Sequence, residues 1–559
     1  MNAILFVILI VGGTAILSWP LGRYMKWAMD PEWPSDDLAS RFTRLFELIG
    51  GRATRQQQNW TQYMVALLVF NVVMFVVSFD FMALQQYLPL NPDGKGAVEG
   101  SLIFHTVASF TSNTNLQHYS GEATLSYLSQ LCSLMWLQFV SAATGIAALT
   151  AMARGMAGRN DMGNFFIDLG RASFLVLLPI ALIVALLMVI GGMPMTLAGA
   201  AEATTLEGVR QTIARGPVAA FLTIKQLGTN GGGFFGPNCT HPFENPTFWT
   251  NGLAMISIIL IPMACVWMFG RTVGRMRHAA VVFCVMLVLL LVKITGALWF
   301  ESAPTQAFAN LPIEQNVGNL EGKEMRFGPT SGPTWAVLTT STSNGSVGAM
   351  HDSLNPMTGL MPMIGMWLNA TFGGVGVGMI NMFIYIILGV FVAGMMVGRT
   401  PEYLNRPVEA FEVKLAVVAL FAHAFFILGG TAIFAATPWG AETLNNTGPH
   451  GFSEILYEFS SASANNGSGF EGLGDNTVPW NTATGIIMLL ARYIPIILPL
   501  AIAGSLATKK PTARSAGTLG VENGTFGVML LATILFIGAL TFFPIAALGP
   551  IAEHLLHTS

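Results

Sequence analysis

Charge is what this sequence has least of. Only 10% of its 559 residues are Asp, Glu, Lys or Arg, against about 25% in a typical soluble domain. So few charges cannot coat a soluble surface of this size. The hydrophobic share of 53% falls in long apolar runs from end to end, which places the chain among polytopic membrane proteins. A net charge of −3 offers no basic face for nucleic acid. The four cysteines, Cys132, Cys239, Cys265 and Cys284, are scattered, and Cys239 alone falls in an expected loop. That pattern supports neither a disulfide framework nor a thiolate metal site. The nine histidines contain no H-x-x-x-H pair. There is no G-x-x-x-x-G-K-[ST] and no D-K-T-G phosphorylation sequence, and no expected cytoplasmic loop exceeds about 41 residues. A nucleotide domain has no room in this chain, so any active pumping needs a partner that supplies energy.

What is present is a series of apolar stretches long enough to cross a bilayer. Length and hydropathy predict ten spanning helices, at 3–20, 62–82, 126–151, 172–192, 249–269, 279–299, 374–397, 415–435, 482–506 and 526–548. The first, in "MNAILFVILIVGGTAILSWPLGRYMK", lacks a basic n-region, and Arg23 and Lys26 follow its apolar run. It is expected to be a retained helix with its N-terminus outside, not a cleaved signal. Five connections, 21–61, 152–171, 270–278, 398–414 and 507–523, hold 18 of the 26 Lys plus Arg. With ten spans all five fall on one side, which the positive-inside rule makes cytoplasmic, leaving both termini outside.

Four outward connections each carry a short apolar segment: "SLIFHTVASFT" (101–111), "PVAAFLTIKQLG" (217–228), "SGPTWAVLTTST" (331–342) and "HGFSEILYEFSS" (450–461). About eleven residues cannot span ~30 Å at 1.5 Å per residue, so these read as re-entrant half-helices. Each runs into small polar residues: "SNTNLQ" (112–117), "TNGGGFF" (229–235), "SNGSVG" (343–348) and "NNGSGF" (465–470). The predicted fold is all-α, with four helix–half-helix–loop–helix repeats around a pore at 62–151, 172–269, 279–397 and 415–506. An extra helix flanks them at each end, within 1–61 and 524–559.

Turn statistics alone explain Asn-Gly and Gly-Gly as exposed turns. Four such runs in register, on one side, point instead to a pore. Irregular backbone at membrane depth survives only where protein buries it or water lines it. Four loops meeting on an axis can replace a monovalent cation's hydration shell with carbonyl oxygens. Glycine supplies positive φ, and Asn, Ser and Thr brace the backbone. None of the four runs holds a carboxylate or a basic residue, which disfavours a divalent cage. The expected site is Asn113, Thr114 and Asn115; Thr229, Asn230, Gly231 and Gly232; Ser343, Asn344 and Gly345; and Asn465, Asn466 and Gly467.

Within "NATFGGVGVGMINMFIYIILGV" four glycines, Gly373, Gly374, Gly376 and Gly378, fall within six consecutive positions. Each costs about 0.8–1 kcal/mol in a helix interior. Close helix packing is one explanation; a break lying under the filter, with Phe383 lining the path beyond, is the other and the expected one. Lys293 is expected to snorkel outward. Arg492 lies midway along its span, where a charge is usually functional or paired. It is a candidate to bar a straight exit to the cytoplasm, or to pair with a partner subunit.

"SNTNLQHYSGE", "QLGTNGGGFFGPNCTHPFENPT", "GRTPEYL" and "SSASANNGSGFEGL" resemble the potassium-binding A subunits (KdpA) of Kdp-type potassium-transporting ATPases. The resemblance covers essentially the whole chain. Trk/Ktr-type channel subunits share the fourfold plan but not these words. The resemblance implies potassium as the ion. It implies a non-catalytic subunit in a bacterial inner membrane, working with a P-type ATPase B subunit, a single-span C subunit and a small F subunit. It also implies lateral exit of the ion through an intersubunit tunnel, with Gln117, the glycine cluster, Phe383, Arg399 and Arg492 along the pore or its gate. A stand-alone channel and a non-transporting scaffold are the competing readings.

Overall fold

In a computed structural model, residues 3–31, 38–305, 308, 310–398, 400–512 and 520–558 are described. Ten helices are long and apolar enough to cross a membrane among the described residues. They are Ala3–Met29, Trp60–Ala83, Ser129–Met156, Phe165–Ile190, Phe248–Val273, Met276–Glu301, Val377–Met396, Ala410–Ala435, Val478–Thr508 and Gly524–Leu548, here spans 1 to 10. The chain is a multi-pass, all-α membrane protein. Several spans start at side-chain caps that satisfy the first free N–H groups. Asn59 and Gln62 form a capping box before span 2, and Thr247 and Thr250 form one before span 5.

Four shorter helices, Gly100–Thr111, Val218–Leu227, Ser331–Ser341 and Gly448–Ala464, are half-helices 1 to 4. Each sits between two spans and ends in a polar loop, here loops 1 to 4. Spans 3, 5 and 7 are 72, 78 and 78% buried, whereas spans 1, 2, 8 and 10 are only 17 or 28% buried. The helix after each of the first three half-helices is therefore inner, and spans 2 and 8, which lead into half-helices, are lipid-facing.

The structure differs from the sequence expectation in five places. Span 7 is preceded by a further helix, Pro356–Leu368, and the break between them runs from Asn369 to Gly376. The membrane segment thus starts well before 374, because Pro356 begins the upper helix at its first turn. Arg154, read as a loop cation, lies in the last turn of span 3 and is buried. It pairs with Asp168 at 2.6 Å and with Asp30 at 3.3 Å, and Asp168 also accepts from Tyr63 Oη at 3.0 Å. Lys293 does not snorkel: it is buried and its Nζ donates to Ser341 Oγ at 2.6 Å, so half-helix 3 captures it at its C-terminus, where a cation is favoured. Finally, a helix at Leu38–Gly50 and an outer hairpin pairing Ala201–Thr204 with Arg210–Ile213 were not anticipated.

Candidate ion-binding site

All four half-helices end in the same backbone closure. The residues after their last turns, Asn113, Thr229, Ser343 and Asn465, have φ of 64, 48, 50 and 51°. The next N–H, of Thr114, Asn230, Asn344 and Asn466, returns to the carbonyl five residues earlier: Ser109, Lys225, Thr339 and Ser461, at 2.8–2.9 Å. This is the 6→1 bond of a Schellman cap, which satisfies a terminal carbonyl and turns the chain out of the helix. Two residues past the first positive φ comes a second, at Asn115, Gly231, Gly345 and Gly467, with φ of 57, 82, 84 and 100°. Three of the four are glycine, the residue that adopts this conformation without cost.

These second positions form a ring. A Cβ on Gly231 would lie 1.7 Å from the carbonyl oxygen of Asn344. One on Gly345 would lie 2.1 Å from that of Asn466, and one on Gly467 2.0 Å from that of Thr114. Loop 2 therefore abuts loop 3, loop 3 abuts loop 4, and loop 4 abuts loop 1. Side-chain amides tie the same neighbours. Asn344 donates to the carbonyls of Lys225 and Gln226 at 3.2 and 3.3 Å, and Asn466 to that of Thr339 at 3.0 Å. Asn465 donates to Thr114 Oγ1 at 3.0 Å. The remaining boundary is closed by Asn113, which donates to Thr229 O at 2.9 Å, and by Asn230, which donates to Asn113 Oδ1 at 2.6 Å. Gly232 faces Asn115, whose side chain a Cβ would meet at 2.9 Å.

Every Asn, Thr and Ser of the site is at most 5% exposed. Among the described residues, no hydrogen bond reaches the carbonyls of Thr114, Asn230, Asn344 and Asn466. Buried carbonyls ordinarily find a partner. Four neutral oxygens left unengaged around a closed ring suit a weakly hydrated monovalent cation.

The surrounding braces are polar and local. Gln117 clamps loop 2 through both ends of its amide: Nε2 donates to Gly233 O at 3.0 Å and Oε1 accepts from Gly233 N at 2.7 Å. Lys225 and Glu244 form a buried ion pair. Glu244 Oε1 accepts from the N–H groups of Phe234 and Phe235 at 2.6 and 2.9 Å, while Asn238 Nδ2 donates to Gly231 O at 2.7 Å. The three glycines of loop 2 are therefore held from outside. Lys225, Asn238 and Glu244 went unnoticed in the sequence, although a lysine inside a sub-spanning apolar segment was a signal that it has a partner.

The break ahead of span 7 lies against the inner ends of the loops. Asn369 accepts from Ser343 Oγ at 2.8 Å and donates to Ala464 O at 3.3 Å. Gly373 N donates to Ser341 O at 3.0 Å and Val375 N to Thr229 Oγ1 at 2.9 Å. A Cβ on Gly374 would lie 3.6 Å from Ser343 Cβ. Gly376 (φ 78°) presses on span 3, where a Cβ would lie 2.0 Å from Gly145 O, and Gly378 crosses Gly373, a Cβ on the latter lying 2.2 Å from Gly378 Cα. Arg492 is buried beside this contact. Its guanidinium donates to Ser141 O at 3.2 Å, and Ser141 Oγ donates to Asn113 Oδ1 at 2.8 Å. Among the described residues no carboxylate pairs with Arg492. Phe383 lies deeper in span 7, buried against Tyr403 with ring centroids 5.8 Å apart. Arg399 is outside the described residues.

Four short helices whose polar loops close into a ring inside a bundle of ten apolar spans define a polytopic membrane protein with a central ring of loops. The chain is 12% identical to the potassium transporter TrkH of Vibrio parahaemolyticus, with a TM-score of 0.53 over 89% of this chain and 98% of that one, a likeness of fold alone. The family model of the potassium-transporting ATPase A subunit matches residues 6–555. A potassium-transporting ATPase potassium-binding subunit of Pseudomonas putida is 48% identical over 96% of this chain and 95% of its own length. Relatives of the same description from Flavobacterium johnsoniae and Geobacillus kaustophilus are 45 and 44% identical, covering 97 and 99% of this chain and 97 and 98% of their own. The chain belongs to the potassium-transporting ATPase A-subunit family.

Proposed function

We propose that this chain binds potassium for an ATP-driven uptake pump and delivers it to a catalytic P-type ATPase subunit. The ring of loops is the observation that carries the reading. Its oxygens are neutral, buried and arranged in four equivalent copies, as selection of a monovalent cation requires. Asn113–Asn115, Thr229–Gly232, Ser343–Gly345 and Asn465–Gly467 select the ion, and Gln117 holds loop 2 against loop 1.

The segment Asn369–Gly376 and Arg492 bar the straight inward path. The exit then runs sideways toward a partner, and the small, mostly apolar cavity beside the break, which Asn369, Asn381, Tyr385, His423 and Ser463 also line, is its candidate starting point. Phe383 belongs to the inner end of that path. A pump needs such an arrangement: a tenfold gradient stores ~1.4 kcal/mol per ion and 100 mV stores ~2.3 kcal/mol per charge, and a straight open pore dissipates both. The partners are the catalytic subunit, a single-span subunit and a small fourth subunit in a bacterial inner membrane, with both termini of this chain outside.

The competing reading is a Trk/Ktr-like channel subunit. Reconstitution separates the two. Purified chain alone in liposomes is expected to pass no potassium, and to confer potassium-stimulated ATP hydrolysis when combined with the catalytic subunit. Free potassium conduction by the chain alone sinks the pump reading in favour of the channel.

A further inference from the structure

On the outer side of the ring, loop 1 and half-helix 4 are joined by a second polar cluster that the potassium pathway does not use. His118 Nε2 lies 3.1 Å from Glu458 Oε1 and 3.8 Å from Asp475 Oδ2. One ligand atom from each residue falls within 4.8 Å of the other two. The side chains of His118 and Glu458 are 0 and 1% exposed, and that of Asp475 is 25% exposed.

The orientation of His118 is fixed. Its Nδ1 meets Asn481 Oδ1 at 2.7 Å. Asn481 uses its Nδ2 on Ser101 Oγ and Asn476 Oδ1, at 3.1 and 3.2 Å, so its oxygen faces the ring and Nδ1–H is the donor. Nε2 is thereby aimed at two carboxylates. In a neutral imidazole that nitrogen presents a lone pair, so three lone-pair-bearing atoms converge, two on buried side chains and the third on one that is 25% exposed. A cation there would answer all three. Beneath it lies His105, stacked on His118 with centroids 3.7 Å apart and with neither buried nitrogen hydrogen-bonded.

We propose that His118, Glu458 and Asp475 bind one divalent transition-metal ion of the zinc type from the outer face. Zinc bonds of about 2.0–2.2 Å in tetrahedral array place ligands ~3.3–3.5 Å apart, and the separations of 3.1 and 3.8 Å from Nε2 bracket that value. One imidazole with two carboxylates suits zinc and its neighbours better than magnesium or calcium, which take oxygen alone. Three protein ligands leave the fourth position to water on the exposed side of Asp475. Asn481 plays the part that an outer acceptor plays behind a metal-bound histidine. The bound ion would bridge loop 1 to half-helix 4, at the boundary where Asn465 already reaches Thr114. Its added positive charge close to the ring would oppose potassium entry.

The test uses the whole pump complex, stripped with a chelator, reloaded with zinc chloride alone and freed of excess by gel filtration. One zinc per copy of this chain is expected in the wild type. Less than about a tenth of that is expected in Asp475→Asn and His118→Gln, and a loss of about 10–100-fold in zinc affinity in Asn481→Ala. Cobalt in place of zinc should give a d–d spectrum with nitrogen and oxygen ligands and no thiolate band, which separates this site from Cys239. Zinc should also raise the potassium concentration for half-maximal ATP hydrolysis at least threefold in the wild type and not in Asp475→Asn. No retained zinc, or equal retention in a folded Asp475→Asn complex, overturns the site and leaves a proton on His118 as the positive species. Zinc retained with unchanged potassium dependence overturns the coupling to transport. The zinc count does not bear on whether the ring binds potassium, because metal content is measured directly.

Discussion

Replacing Gly231 by alanine puts a methyl carbon where a neighbouring carbonyl already stands. The new Cβ would lie 1.7 Å from Asn344 O and 2.4 Å from its carbonyl carbon. Real contacts of this kind start near 3.0 Å, so loops 2 and 3 must separate by roughly 1.3 Å, and close packing gives them nowhere to go. The residue also keeps φ of 82°, which costs an L-residue about 1–2 kcal/mol. Overpacking adds about 1–3 kcal/mol. Only ~1.4 kcal/mol of this, expressed as lost affinity, is tenfold in binding. The assay is ATP hydrolysis by the purified complex titrated with potassium, rubidium and sodium. At least a tenfold rise in the potassium concentration for half-maximal activity is expected, with poorer discrimination against sodium. Gly345→Ala and Gly467→Ala, with contacts of 2.1 and 2.0 Å, should behave alike, and Gly232→Ala, meeting a side chain at 2.9 Å, should be milder. Gly524→Ala meets nothing within 4 Å and serves as the neutral control. Wild-type affinity and selectivity in a folded Gly231→Ala complex would refute the ring as the selective element.

Arg492→Gln removes the buried cation beside Ser141 and is expected to give ATP-independent potassium leak in proteoliposomes, or ATP hydrolysis less tightly coupled to potassium; a tight, fully coupled variant counts against the barrier role. Gly376→Ala drives a Cβ to 2.0 Å from Gly145 O, so it should unseat the break and produce the same leak, read by flux without ATP. Lys225→Met leaves Glu244 buried without its partner, which should cost about 3–5 kcal/mol and show as a lower melting temperature; Lys225→Met with Glu244→Gln should recover part of it. His450, at the outer rim, is partly desolvated, which lowers its pKa, but hydrogen bonds and charge from Asp352 and Glu553 outweigh this and hold it up at about 10. A raised folded-state pKa stabilises fully below the unfolded value near 6.5 and loses that contribution as pH rises through about 10. Thermal stability should therefore fall across that window in the wild type and more shallowly in His450→Asn; identical profiles would show that the cluster does not hold the C-terminal helix Pro550–Thr558, which carries Glu553.

What the sequence determined by itself is what depends on near neighbours in the chain. Apolar length marked the spans, because a bilayer tests each segment separately for hydrophobicity and hydrogen bonding. The four short segments and the polar runs after them were legible for the same reason, and the Schellman closures at Asn113, Thr229, Ser343 and Asn465 use only the local backbone. The glycine cluster was visible as a poor helix, yet the break begins at Asn369 because that residue is held by Ser343 of its own repeat and by Ala464 of the next. Tertiary structure alone decided the order of the loops around the ring, the pairing of Lys225 with Glu244, the clamp of Gln117 on Gly233 and the capture of Lys293 by Ser341. His118 and Glu458, 340 positions apart, meet only because repeats 1 and 4 close the circle. A single sequence carries no record of such distances. Which buried polar group answers which is settled when packing removes water from both, and each must then find its partner within hydrogen-bonding reach.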